Sequence, residues 1–321
     1  MLSLITPIYN EEAILPQLHA EVSEAFRAIG MPWEAVYVDD GSRDQSLAIL
    51  LELQRRDPHV VVVELSRNWG HQPAITAGLS VSRGDAAVLM DGDLQDPPSV
   101  IPELVAAWQH GAEVVLAERR SRTERGLRKL LFPLFYKLLG FLSDYPIPLN
   151  AGIFGLMDRQ VVDAIVRLSE TNRYVPGLRA WVGFKTAVID YDRPARASGQ
   201  PRQTLGRLIK YALDAIFSFS YKPLRLTLGL GLIIAVLSFL TGLFFVICRI
   251  LGIGLFGSPV VYGYTSTLAF ILLLAGVQLT SIGILGEYIG RIYDEVKRRP
   301  LYVVRKVHTS QNPNEAHDSV Q

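Results

Sequence analysis

Ala86-Ala87-Val88-Leu89-Met90-Asp91-Gly92-Asp93-Leu94-Gln95-Asp96-Pro97-Pro98 is the stretch on which the fold turns. An uncharged apolar run, residues 86–90, gives way at once to aspartates. A run so short and apolar reads as a strand buried on both faces, the habit of parallel sheets. Working outward, similar runs rich in Val and Ile occur at residues 2–6, 35–38, 60–65 and 113–116. Residues 12–29 and 44–56 space their apolar side chains at helical intervals and fit crossover helices. The alternation predicts a doubly wound, Rossmann-like α/β sheet, in which ligands gather at the carboxyl ends of the strands.

The chemistry-bearing residues fall at those ends. Asp91 and Asp93 flank Gly92, so two carboxylates can reach one point while the backbone stays close. Hard cations such as Mg²⁺ and Mn²⁺ take oxygen ligands of this kind and share them with a diphosphate; Gln95 offers a further, neutral oxygen. The ordinary alternative for an Asp-x-Asp is a solvated turn, and its place after a buried strand argues against that. Val38-Asp39-Asp40-Gly41-Ser42-Arg43-Asp44 follows a second strand. Asp44 is the expected cap of the next helix. Asp39 and Asp40, adjacent and mutually repelling, are candidates to accept from a base N–H or a ribose hydroxyl. After the first strand, Pro7 and Tyr9 offer an apolar face for a base and Glu11 a polar anchor. Glu118-Arg119-Arg120-Ser121-Arg122 follows the fifth strand and opens on the same crevice, where arginines bind phosphate in bidentate fashion. Arg196-Ala197-Ser198-Gly199-Gln200-Pro201-Arg202 precedes a membrane-proximal segment and can reach a lipid phosphate. His71 could line the site, but a lone histidine more often plays a structural role, and it is read as structural.

Beyond about residue 220 the composition changes. Residues 224–247 and 264–285 are apolar, with Arg225 at the start of the first as their one charge, and each is long enough to cross a hydrocarbon core of about 30 Å. The expected organisation is a cytosolic catalytic domain at 1–204, a juxtamembrane amphipathic helix at 205–223, and transmembrane helices at 224–249 and 264–288. A short extracytoplasmic loop at 250–263 joins those helices, and a cytosolic tail at 289–321 is read as polar and disordered after residue 307. Residues 127–142 form a second amphipathic candidate for the membrane interface. Arg207, Lys210 and Lys222 lie before the first span and Arg225 at its start, and Arg291, Lys297, Arg298, Arg299, Arg305 and Lys306 follow the second. By the positive-inside rule both termini face the cytoplasm. Lys and Arg total 32 against 31 Asp and Glu, so no global field draws the chain to nucleic acid. The lone Cys248 excludes a disulfide framework. No basic and apolar leader is expected at Met1-Leu2-Ser3-Leu4-Ile5-Thr6-Pro7.

Taken in order, Pro-x-Tyr-Asn-Glu-Glu at 7–12, Asp-Asp-Gly-Ser-x-Asp at 39–44, Leu65-Ser66-Arg67-Asn68-Trp69-Gly70-His71-Gln72, Asp-Gly-Asp-Leu-Gln-Asp-Pro-Pro at 91–98 and Gly286-Glu287-Tyr288-Ile289-Gly290-Arg291 resemble family 2 glycosyltransferases. The likeness is to the polyprenol-phosphate glycosyltransferases, which include dolichol-phosphate mannose synthases and bactoprenol glucosyltransferases, and it spans nearly the whole chain. It implies a GT-A fold and inverting transfer of a hexose from UDP-glucose, GDP-mannose or a similar donor to polyprenyl phosphate, in the inner membrane. By the same likeness Pro7, Tyr9, Glu11, Tyr37, Asp39 and Asp40 hold the nucleoside. Asp91, Gly92, Asp93 and Gln95 serve the metal and diphosphate, and Arg119 faces the phosphates. Arg122, Arg196 and Arg202 are the implied contacts of the acceptor phosphate, with Arg202 also counted among the catalytic groups. A homo-oligomer, such as a tetramer, is implied too. One departure stands out. Many relatives carry Asp-x-Gly-Asp-Phe-Arg where this chain reads Asn150-Ala151-Gly152-Ile153-Phe154-Gly155. A phosphate monoester has a second pKa near 6 and is largely ionised at neutral pH, so the reaction class survives the loss of a base. The alternative is a non-catalytic membrane scaffold on a degenerate transferase fold.

Overall fold

The structure, a computed structural model, describes residues 1–119, 151–171, 173–192, 222–250 and 263–310. The chain divides into two compact units, one built on a sheet and one on two long helices. In the sheet unit the described elements are β1 (Leu2–Ile8), α1 (Leu15–Ile29), β2 (Trp33–Asp39), α2 (Ser46–Arg56), β3 (Val60–Leu65), α3 (His71–Val81), β4 (Ala86–Leu89), a 3₁₀ turn (Pro98–Val100), α4 (Ile101–Gln109), β5 (Val114–Arg119), β6 (Ala151–Asp158), α5 (Arg159–Arg167), α6 (Val175–Trp181), β7 (Thr186–Tyr191) and β8 (Val304–His308).

The five expected strands all form. They join one sheet in the order β7-β5-β6-β4-β1-β2-β3-β8. β4, β1, β2 and β3 run parallel, and β7 runs parallel to β5. The expectation of a purely parallel sheet needs correction. β6 sits antiparallel between β4 and β5, and β8 pairs antiparallel with β3 at the edge. β6 escapes a reading by composition because two glycines, Gly152 and Gly155, interrupt its apolar run. β8 escapes it because Arg305, Lys306 and His308 make an edge strand look like a polar tail. Residues 304–308 are therefore sheet, and the tail expected over 289–321 begins later: the helix before it runs to Val296.

The central strands are apolar on both faces because helices cover both. Leu4, Ile5, Val36, Val62, Val63 and Val88 are wholly buried. α1 turns Leu15, Leu18, Val22 and Phe26 inward, a helical spacing, and stops at Gly30 in the left-handed region, φ 71°. α3 lies so close to the sheet that a Cβ on Gly78 would stand 2.4 Å from Ile5 Cγ2. Asp44 precedes α2 by one residue more than a cap should, yet its Oδ1 accepts from the Ser46 amide at 3.0 Å.

The second unit contains α7 (Lys222–Ile250, 29 residues) and α8 (Gly263–Val296, 34 residues). At about 1.5 Å per residue they are roughly 44 and 51 Å long. Among the described residues one segment, Leu273–Val296, is long and apolar enough to cross a membrane, and Thr227–Thr241 is apolar but shorter. The two amphipathic segments, 127–142 and 205–221, and the loop at 251–262 lie outside the described residues.

Candidate functional site

Parallel pairing carries the carboxyl ends of β1, β2, β3 and β4 to one rim, and their loops are stitched together there by side chains. Asn10, in the left-handed region at φ 56°, donates its amide to Ser42 Oγ at 3.1 Å and accepts the Arg43 amide on Oδ1 at 2.8 Å. The Glu11 amide reaches Ser46 Oγ at 2.9 Å, and Glu12 Oε2 accepts the Gln45 amide at 2.8 Å. The first loop is thus clamped on the second. It leaves Tyr9 exposed and Pro7 and Glu11 half-buried.

Asp39 closes the β2 turn by accepting the Ser42 amide at 3.3 Å. Burial pushes its carboxyl above the usual range, against the pull of hydrogen bonds from Ser42 and Gly41. Asp40 has a partner that its neighbours in sequence do not reveal. Its two oxygens accept the amides of Trp69 and Gly70 at 2.7 and 3.0 Å, fixing the β3–α3 loop. Burial again raises its pKa and those two amides oppose the rise. Gly41, at φ 67°, makes that packing possible: a Cβ there would fall 2.5 Å from the Arg67 carbonyl carbon. Two adjacent acids are tolerated because each serves a different loop.

Asp91 and Asp93 follow β4. Gly92 between them presses on the end of β1, where a Cβ would lie 2.6 Å from Ile8 Cδ1. Asp93 Oδ1 accepts the Gln95 amide at 3.1 Å, and Leu94 takes φ 54° to close the turn. His71, at the start of α3, places Nε2 2.8 Å from Asp91 Oδ1. Burial lowers the His71 pKa, but the Asp91 hydrogen bond and the charges of Asp91, Asp40 and Asp93 outweigh it, and the net shift is upward. His71 thus stands beside the acids of the β4 loop, where the sequence offered it only as a lesser candidate. Its signal was available, since it follows a predicted strand just as the acids do. Asp96, almost fully buried, accepts the Tyr191 hydroxyl at 2.5 Å and so ties the acidic loop to β7.

Tyr37 must be moved out of the site. It is 1% exposed, inside the core, with its hydroxyl 3.1 Å from His19 Nδ1. A side chain enclosed by the sheet and α1 cannot wall a nucleoside pocket. Arg119 ends β5 at the rim. Arg122, Arg196, Arg202 and Asn150 lie outside the described residues.

β6 runs antiparallel to β4, so its first residues also reach the rim. A wholly buried arginine holds them. Arg179 donates from Nη2 to the Gly152 carbonyl at 2.5 Å and from Nη1 to the Ile153 carbonyl at 3.0 Å. Burial brings its pKa down to about 10. A Cβ on Gly155 would stand 2.3 Å from the Val115 carbonyl oxygen and 3.2 Å from Arg179 Nη1. Glycine at 155 and arginine at 179 therefore go together.

Among the described residues no group of three or more His, Cys, Asp or Glu is disposed to hold a metal ion. Asp91 and Asp93 supply two carboxylates on one turn. That donor set fits a hard cation of the Mg²⁺ type, which takes one or two protein carboxylates and completes its shell with phosphate oxygens. The buried Gln95 Nε2 and Thr6 Oγ1 have no hydrogen-bond partner among the described residues.

Residues 3–166 match the family described as glycosyl transferase family 2. The chain is 43% identical to the SfII prophage-derived bactoprenol glucosyl transferase of Shigella flexneri, over 96% of this chain and 98% of that protein. It is 40% identical to the uncharacterized glycosyltransferase YkcC of Bacillus subtilis, over 97% of this chain and 95% of the relative. A solved glucosyl-3-phosphoglycerate synthase from Mycobacterium tuberculosis, in complex with Mn²⁺, UDP and phosphoglyceric acid, superposes with a TM-score of 0.46 at 21% identity, covering 68% of this chain and 78% of that one. A family match over half the chain, with relatives aligned along nearly all of it, shows that the chain belongs to glycosyl transferase family 2 and is a glycosyltransferase.

Proposed function

We propose that the chain transfers a hexose from a nucleotide-sugar, UDP-glucose in the first instance, to a polyprenyl phosphate at the cell membrane. The observation that carries the reading is the 43% identity to a bactoprenol glucosyl transferase over 96% of the chain, which includes the helices α7 and α8 as well as the sheet. Both helices act as membrane spans in this reading, with the sheet unit and both termini on the cytoplasmic side.

In the reaction the acceptor phosphate oxygen attacks the anomeric carbon of the donor. The new carbon–oxygen bond forms as the bond to the diphosphate breaks, and the bonding pair leaves on the diphosphate oxygen. Attack opposite the leaving group inverts the configuration. The acceptor is already ionised near neutral pH, so the protein has to position it and stabilise the departing charge. Asp91 and Asp93 would hold a divalent cation, Mg²⁺ or Mn²⁺, which would neutralise the charge developing on the diphosphate. Gln95 would add its neutral amide oxygen to the same set. Asp39 accepts from the base, Tyr9 and Pro7 pack on its face, and Glu11 anchors the ribose side. Asp40 acts by holding the Trp69–Gly70 backbone at the rim. Arg119 faces the diphosphate, and Arg122, Arg196 and Arg202 take the acceptor phosphate.

The test is a donor panel. Purified full-length protein in lipid is given polyprenyl phosphate, each radiolabelled UDP- or GDP-sugar in turn, and either Mg²⁺ or Mn²⁺. The expected product is a single glycosyl lipid that requires the metal. Long polymer, or no labelled lipid with any donor, would overturn the proposal.

A further inference from the structure

The edge strand β8 takes no part in the chemistry above, yet its contacts lead to it. Ser66, first residue of the β3–α3 loop, donates its amide to the Val303 carbonyl at 2.9 Å. Arg305 spans the corner: Nη1 lies 3.2 Å from Glu64 Oε1, and Nη2 donates to the Ser66 carbonyl at 3.2 Å. Tyr302 Oη is 2.9 Å from Ser80 Oγ on α3. The β3–β8 register shifts between Glu64 and Leu65, where these contacts begin. From Ser66 the chain of contacts continues inward. Trp69 Nε1 donates to Ser66 Oγ at 3.1 Å, and Arg67 lies over the Trp69 ring at 3.7 Å. The Trp69 and Gly70 amides are those bound by Asp40. Gly70 turns at φ 100° and His71 follows, against Asp91.

We propose that residues 302–308 are a positioning strap for the β3–α3 loop, and through it for the placement of His71 beside Asp91. The inference rests on the reading of Asp91 and Asp93 as the donor-diphosphate site. Arg305 is mostly exposed, and an exposed ion pair contributes little to stability. Its two donors instead fix the angle between the end of β3 and the loop. The strap is the part of the chain that follows α8, so the segment leaving the helical unit returns to set one wall of the site.

The experiment uses the full chain in lipid, grown with 5-fluorotryptophan. The chain has four tryptophans, and Trp69→Phe assigns the loop resonance. In Arg305→Ala the Trp69 resonance should shift and broaden while those of Trp33, Trp108 and Trp181 stay in place. The value of kcat/KM for the nucleotide-sugar should fall about tenfold, the scale of one charge-assisted hydrogen bond that aligns a reacting group. The KM for polyprenyl phosphate should not move. Arg305→Lys, which keeps a charge for Glu64 but not the two-pronged reach to Ser66, should fall between. An unmoved Trp69 resonance with wild-type kinetics would overturn the strap. So would an equal shift of all four resonances with a lowered melting temperature, the mark of a purely structural role. If the wild-type chain transfers no sugar to polyprenyl phosphate, the proposed function fails, and the Trp69 resonance still decides whether the strap holds the loop.

Discussion

The two units of the chain use the same apolar side chains to opposite ends. In the sheet unit Leu4, Ile5, Val62 and Val88 are wholly buried, while in α7 and α8 Leu228, Phe239, Phe270 and Leu279 are between 65% and 73% exposed. Burying one such side chain stabilises a protein by about 1.5–3 kcal/mol. A water-soluble fold that left so many outside would forgo that repeatedly, and contiguous apolar surface of this kind marks a membrane or partner interface. Polar groups show the reverse contrast. In the sheet unit they are buried where they serve a loop or the rim, as Asp39, Asp40, Asp96 and Arg179 are. In α8 Glu287 is exposed and pairs with the largely covered Arg291 at 2.9 Å, one turn along the same helix. The contrast fits the proposed function, in which the sheet unit carries the chemistry and the helical unit lies in the bilayer.

That division can be attacked from both sides. The largest effect is expected from the chemical unit. Asp93→Ala removes one of two carboxylates proposed to hold the cation and should cut metal-dependent transfer about a thousandfold, roughly 4 kcal/mol of barrier. Circular dichroism and membrane fractionation should be unchanged, because Asp93 lies on the loop after β4 and not within a strand or helix. Full activity in this variant would remove the cation from the Asp-Gly-Asp. The next effect belongs to the other unit. Leu279 sits at the middle of α8 and is 70% exposed. If lipid surrounds it, Leu279→Asp costs about 3 kcal/mol of insertion, seen as protein lost from the membrane fraction. If water surrounds it, the same change is neutral or improves solubility, and the comparison breaks.

What could be read in advance followed the strength of the local signal. The five strand runs were legible because burial on both faces demands unbroken apolar residues, and the Asp-Gly-Asp was legible because acids at a buried strand's end are costly without use. β6 and β8 were not, for the opposite reason. β6 needs glycine where Val115 and Arg179 crowd it, and β8 is an edge strand whose outward side chains carry charge. His71 and Arg179 were hidden because their partners, Asp91 and the Gly152–Ile153 carbonyls, are remote in sequence. Asp40 was noticed for the wrong neighbour. Repulsion from Asp39 pointed to a ligand, whereas the amides of Trp69 and Gly70 already occupy its oxygens.

Tyr37 gives the smallest and sharpest test of where the site ends. The family likeness puts it on the nucleoside, while the structure puts it in the core with its hydroxyl on His19. The two placements separate in one variant. Tyr37→Phe keeps the ring that fills the core and removes only the hydroxyl, leaving His19 Nδ1 without that partner. One neutral hydrogen bond is worth about 1 kcal/mol, so the melting temperature should fall by a few degrees, about what a domain of this size shows for such a loss. The KM for the nucleotide-sugar should stay at the wild-type value, since no atom of Tyr37 faces the rim. A raised KM at unchanged melting temperature would return Tyr37 to the pocket. It would also mean that β2 moves on binding, because a side chain so enclosed can reach a ligand only if the strand carrying it gives way.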